Sequence, residues 1–172
     1  MTQRQNGSKR ESWNIDKPTS KTENQEFGKG EKGIIICGVC GAAHFKKRWY
    51  HGLEKINSEN QNLPVVFKLC PACIQIQSRQ YEGRIILENV PKKFESEITN
   101  FVNAYGKRAY DRDPMHRVIA LKKNKEGLMI TTTENQLALK LSRKLKQMFA
   151  KVVKDISFSP GPSDVVYITI KF

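Results

Sequence analysis

The cysteine pattern constrains this chain more than any other feature: two Cys-x-x-Cys pairs and no further cysteine. The first pair is Cys37 and Cys40 in Ile36-Cys37-Gly38-Val39-Cys40-Gly41, and the second is Cys70 and Cys73 in Leu69-Cys70-Pro71-Ala72-Cys73-Ile74. Two residues between thiolates let both sulfurs reach one tetrahedral ion while the backbone curls around it. Gly38 and Gly41 suit such a knuckle, because glycine tolerates backbone angles that other residues avoid. A single Cys-x-x-Cys is equally compatible with a redox pair. Two pairs with knuckle-like flanks point instead to one structural zinc site with Cys37, Cys40, Cys70 and Cys73 as its ligands. Residues 41–69 separate the pairs, wider than the roughly 15–20 residues common in such patterns. Loop-closure entropy grows slowly with length, so the extra loop does not prevent closure. Four thiolates fill the coordination of zinc, and the expected site is therefore closed, with no open position for catalysis. No apolar export segment precedes the cysteines, which argues against a disulfide framework.

Thirty Lys and Arg against 17 Asp and Glu give a formal net charge of +13 at pH 7. That excess favours polyanionic partners, chiefly RNA, DNA or an anionic membrane surface. Solubility alone is the competing explanation, and the local clustering of the cations speaks against it. There is no run of about 18 apolar residues to span a membrane, and no lipidation motif. With reduced cysteines and no export signal, the expected compartment is the cytoplasm.

Composition divides the chain into three parts. Residues 1–32 are polar, with only Trp13, Ile15 and Phe27 available to a core; such a segment buries too little to offset its ordering entropy, so a disordered basic tail is expected. Residues 33–80 hold the cysteines and read as a zinc ribbon. Its strands are expected at Ile34 to Ile36, His44 to Tyr50 and Val65 to Leu69, with Asn57 to Asn62 at a loop tip and a helical turn within Ile74 to Gln80. Residues 81–172 read as strand, helix, strand, strand, helix, strand and one extra strand. The first helix opens at Pro91 and places Phe94, Ile98, Phe101, Val102 and Tyr105 on one face. Thr133 and Gln136 fit a capping box, followed by a stripe of Leu137, Ala138, Leu141, Leu145, Met148 and Phe149. From Val165 to Phe172 apolar side chains alternate with the period of a half-buried strand. The predicted fold is α+β: a four-cysteine zinc ribbon followed by a ferredoxin-like βαββαβ sandwich with an extra C-terminal strand, its helices covering one face of the sheet.

Between the cysteine pairs runs His44-Phe45-Lys46-Lys47-Arg48-Trp49-Tyr50-His51. Cations neutralise phosphates and aromatic faces stack on unpaired bases, so Lys46, Lys47, Arg48, Trp49 and Tyr50 are candidate RNA contacts. Phe45 and Trp49 are as readily explained as packing for a small core. The second helix adds a cationic group: Lys140, Arg143, Lys144 and Lys151 lie together on its projection, with Lys146 and Lys154 also assigned to it. Further basic pairs stand at Lys92-Lys93, Lys107-Arg108 and Lys122-Lys123. An enzyme would have to use His44, His51 or His116 with Asp111, Asp113 or Asp164, and no histidine stands in a metal-ligand or nucleophile pattern with these. The strands Arg84 to Glu88 and Leu128 to Thr133 carry no aromatic residue, which argues against base stacking on the open sheet face.

Three stretches together resemble the zinc-ribbon family of the large-ribosomal-subunit nuclear export adaptor and its short archaeal and bacterial relatives. They are the cysteine pairs with Trp49 between them, Arg79-Gln80-Tyr81-Glu82-Gly83-Arg84-Ile85-Ile86-Leu87, and the run from Glu126-Gly127-Leu128-Met129-Ile130-Thr131-Thr132-Thr133 through Leu137-Ala138 and Leu145 to Val166-Tyr167-Ile168-Thr169. The resemblance spans roughly residues 34–172. It implies binding to the large ribosomal subunit or its RNA without catalysis. That family's second zinc site is not expected with four cysteines, and neither its further domain nor its transport-signal tail is read here, so nuclear export is not carried over. The leading expectation is a non-enzymatic, zinc-containing RNA-binding protein associated with the ribosome. A DNA-binding zinc-ribbon regulator and a protein-interaction adaptor are the alternatives.

Overall fold

Three-residue strands between turn residues build the first sheet. Its strands are β1 (Ile34–Ile36), β2 (Ala43–Phe45), β3 (Arg48–Tyr50) and β4 (Val65–Phe67), in the order β3-β2-β1-β4. The computed structural model describes residues 33–56, 63–125, 127–149, 152–160 and 164–172. The tail at 1–32, the loop tip at 57–62 and Lys151 lie outside the described residues. One strand was expected from His44 to Tyr50, but the structure has two. Lys46 and Lys47 make a two-residue turn with φ of 46° and 67°, the pair of positive angles that matches a hairpin turn to the twist of its strands. Side chains other than glycine pay for that conformation with roughly 1–2 kcal/mol each. Ile34, Ala43 and Ile56 form a small core against Ile36, Phe45, Tyr50 and Leu53.

A short helix, α1 (Pro71–Gln77), leads out of this module. There follow β5 (Gly83–Glu88), α2 (Lys92–Arg112), β6 (Val118–Asn124), β7 (Gly127–Thr132), α3 (Asn135–Met148), β8 (Val153–Phe158) and β9 (Val166–Lys171). Among the described residues the architecture is thus α+β with two sheets and three helices. The second sheet has the order β6-β7-β5-β9-β8. Its pairs are antiparallel except β5 and β9, which run parallel. The chain crosses from α3 to the sheet edge at β8, and the β8–β9 hairpin brings it back inside.

Register places one apolar face under both long helices. Ile85 stands between Ile130 and Ile168, and Leu87 between Leu128 and Ile170. These side chains share one core with Ile98 and Val102 of α2 and Ala138, Leu141 and Leu145 of α3. Phe149, just past α3, packs on Phe94 and Phe172 at ring distances of 5.2 and 5.1 Å. Met148, expected on the same stripe, is 39% exposed. The β6–β7 turn closes through the Gly127 amide, which donates to Asn124 Oδ1 at 2.9 Å. Gly127 has φ 137°, and a Cβ there would collide with the Leu87 carbonyl.

The expected capping box is absent, because Thr133 has other work. It is buried, donates its hydroxyl to Met115 O at 2.6 Å and accepts from Arg117 N at 2.9 Å. Both partners are backbone groups of the loop between α2 and β6 that need satisfying. Glu134 takes the N-cap position of α3 without a side-chain capping bond. Among the described residues no helix is long and apolar enough to cross a membrane.

Leu141 is fully buried at the centre of the α3 stripe. Leu141→Ala is expected to cost about 2–5 kcal/mol. Denaturant unfolding should show this as a lower midpoint with an unchanged slope.

Candidate metal centre

β1 delivers Cys37 directly into a tight turn. The Cys37 amide donates to Ala42 O at 2.8 Å, and the Gly41 amide donates to Cys37 O at 2.9 Å. Of the two glycines expected to shape this knuckle, Gly41 takes a positive φ of 73° and Gly38 does not. The second pair departs from expectation, since it is no second knuckle. Cys70 is the N-cap of α1 and Pro71 begins the helix, as proline does where its missing N–H costs nothing. Cys70 and Cys73 therefore project from the first turn of a helix.

The four sulfurs all lie within 4.8 Å of one another, with Cys40 Sγ and Cys70 Sγ 3.7 Å apart. Sulfurs bound tetrahedrally at about 2.3 Å from one ion stand about 3.8 Å apart. The cluster can therefore hold a metal ion with little rearrangement. All four cysteines are free thiols, and three of them are buried. Backbone amides already point at sulfur: Cys70 N donates to Cys37 Sγ at 3.3 Å and Cys73 N donates to Cys70 Sγ at 3.4 Å. Ala42, Ala72, Trp49 and Met115 pack around the group.

Electrostatics divides the thiols. Burial opposes a charge on Cys37, but the amides of Cys70, Cys40 and Val39 outweigh it and draw its pKa from 9.0 to about 6. Burial pushes the Cys70 and Cys73 thiols up, and the Cys40 thiol adds to the effect on both. Only a bound cation allows all four sulfurs to be thiolates together.

Arg117 reaches the cluster from the far module. Its Nη1 donates to Cys73 Sγ at 3.6 Å and its Nε to Pro114 O at 2.8 Å. The guanidinium lies 5.0 Å from the centroid of the Tyr110 ring. Burial works against its charge, and the sulfurs of Cys40, Cys73 and Cys70 more than offset this, so its pKa is raised. Arg117 belongs to none of the candidate groups read from the sequence. It lies 44 positions from Cys73, and no local motif announces such a contact.

The three histidines stand apart from this group. His44 packs on Trp49 at 5.0 Å, with burial lowering its pKa. His51 meets Tyr110 edge-on at 4.7 Å. His116 Nε2 pairs with Glu134 Oε2 at 2.8 Å rather than with Asp111, Asp113 or Asp164.

The candidate RNA contacts fall into two groups. Lys46, Lys47 and Arg48 are exposed at the β2–β3 turn, with Lys46 over Phe45 and Arg48 over Tyr50. Trp49 instead packs against the cysteine cluster and Tyr50 against the Ile34 core. In the second group Lys140, Arg143, Lys144 and Lys146 are exposed on α3. Lys154, assigned to that helix from sequence, belongs to β8, because α3 ends at Met148. Burial first, then the charges of Arg143 and Lys146, lower the Lys154 pKa. Lys107 and Lys123 by contrast are paired with Asp111 and Glu95. None of the ion pairs among the described residues uses Lys140, Arg143, Lys144, Lys146 or Lys154.

Comparison with protein-family models gives no match, and comparison with curated protein sequences gives none either.

The purified, reduced chain should carry one divalent ion, and Cys70→Ser should lose it. Protons compete for the sulfurs, so a chromogenic chelator should extract the metal more readily as pH falls from 8 towards 5. Extraction that is indifferent to pH would contradict sulfur ligation.

Proposed function

We propose that this is a non-catalytic, zinc-containing RNA-binding protein of the cytoplasm, acting on the large ribosomal subunit or its RNA. A tetrahedral set of four thiolates suits zinc. With its coordination filled by protein, zinc contributes rigidity to the hairpin that carries Lys46, Lys47 and Arg48. The order of elements from β5 to β8 is compatible with the ferredoxin-like reading, and β9 is inserted between β5 and β8.

One observation carries the RNA reading: Lys154 lies within electrostatic reach of Arg143 and Lys146, and none of the three has an acidic partner among the described residues. Like charges within reach of one another repel, and a phosphate chain relieves the repulsion while releasing its own counterions. The left-handed Lys46-Lys47 turn gives further support, since two cations there cost backbone strain that Asn-Gly would avoid.

A protein-interaction adaptor is the second reading. It is favoured by two edge strands with exposed apolar side chains, Val65, Val66 and Phe67 on β4 and Val153, Ile156 and Phe158 on β8.

Binding to a ribosomal RNA fragment, followed by fluorescence anisotropy across a salt series, tests the first reading. The triple variant Lys46→Glu, Lys47→Glu, Arg48→Glu should weaken binding and reduce the salt slope by about 2, at roughly 0.7–0.9 per phosphate contact. Arg143→Glu with Lys146→Glu should act in the same direction. RNA recovered with the tagged protein from its native cells should be ribosomal rather than messenger. Salt-independent binding, or preference for duplex DNA, would overturn the proposal. Partner capture that survives both charge reversals would favour the adaptor.

A further inference from the structure

A divalent ion held by four thiolates leaves a dianion, and burying such a charge is costly unless other groups compensate it. Amides of Cys70 and Cys73 supply part of that compensation. The one ionised side chain bonded to a cluster sulfur among the described residues is Arg117.

Arg117 makes little sense as packing. Its Nη2 is buried with no hydrogen-bond partner, an arrangement that costs free energy unless an anion lies close by. Yet the loop that aims it is fixed at several points. Asp113 Oδ1 accepts from the Met115 amide at 2.8 Å, and Thr133 holds both Met115 and Arg117. The Thr133 amide also donates to Arg117 O at 3.0 Å. The side chain of Met115 packs on the same cysteines. The ring of Tyr110 carries the guanidinium on its face and meets His51 of the first module edge-on. A continuous series of contacts therefore runs from Cys73 through Arg117 and Tyr110 to His51, and it joins the cysteine module to the sandwich.

We propose that Arg117 is the counter-cation of a dianionic metal–tetrathiolate centre, and that a divalent ion bound there holds the cysteine module against the sandwich through Arg117. The inference rests on metal occupancy of the cysteine cluster but not on RNA binding. In the metal-free protein the guanidinium loses its anion and the junction loosens at Tyr110 and His51. Metal loading thus alters how the hairpin cations are carried by the rest of the protein, not only the knuckle itself.

The test uses the full chain loaded with cadmium, whose sulfur charge-transfer absorption reports the thiolates directly. Arg117→Met should weaken cadmium affinity 10- to 100-fold in chelator competition, the range for lost outer partners of metal ligands. Arg117→Lys, which keeps the charge, should recover most of that affinity. Thermal midpoints should fall for Arg117→Met in the loaded protein far more than in the metal-free protein. Equal losses in both states, with affinity unchanged, would make Arg117 a packing residue and overturn the proposal. Wild-type hydrogen exchange supplies a check independent of any variant: loading should slow exchange of the amides from Tyr110 to Arg117, and unchanged exchange there would also overturn it. A wild-type chain that takes up no cadmium refutes metal binding itself, an outcome distinct from an affinity shift confined to Arg117→Met.

Discussion

Bringing four sulfurs to one point is the constraint on which the first half of this protein depends. Three-residue strands and a core of Ile34, Ala43 and Ile56 bury too little apolar surface to fold alone, as is usual for very small modules. The cysteines make up the shortfall in two ways. They form a second buried cluster with Ala42 and Ala72, and they provide a site where ion-binding free energy becomes folding free energy. The two sources of ligand differ in kind, one a turn closed by Gly41 and the other the first turn of a helix, so one ion would clamp β1 to α1 across residues 41–69.

The sandwich has the opposite economy. Its core is continuous, runs through three central strands and two helices, and asks nothing of a metal. The loop from Asp113 to Arg117 lies between these regimes. Thr133 fixes it from the sandwich side while Met115 and Arg117 face the cysteines. Its conformation is dictated by one module, and its side chains are used by the other.

Much of this was legible in the sequence, where pattern and chemistry coincide. The cysteine spacing named the cluster, alternation from Val166 to Ile170 gave β9, and the helical stripes of α2 and α3 held at Ile98, Val102, Leu137, Leu141 and Leu145. The departures arise where one residue type admits two uses. Pro71 fits a knuckle and a helix start alike, and the helix won. Lys46-Lys47 carries none of the glycine or asparagine that signals a hairpin turn, so two strands read as one. Thr133 had the spacing of a capping box, but two buried backbone groups of a distant loop claimed its hydroxyl. Arg117 left no trace, since a contact across 44 positions is set by tertiary packing alone.

The parallel pairing of β5 with β9 has a bearing on how the chain is made. Gly83 waits for Val166, and contacts of such long sequence separation slow folding. During synthesis the ribosome releases β5, β6 and β7 first, yet the slot beside β5 stays vacant until β9 emerges. The nascent sandwich is left with one raw flank until β9 is made, whereas the cysteine module has all four cysteines in hand once residue 73 has cleared the exit tunnel.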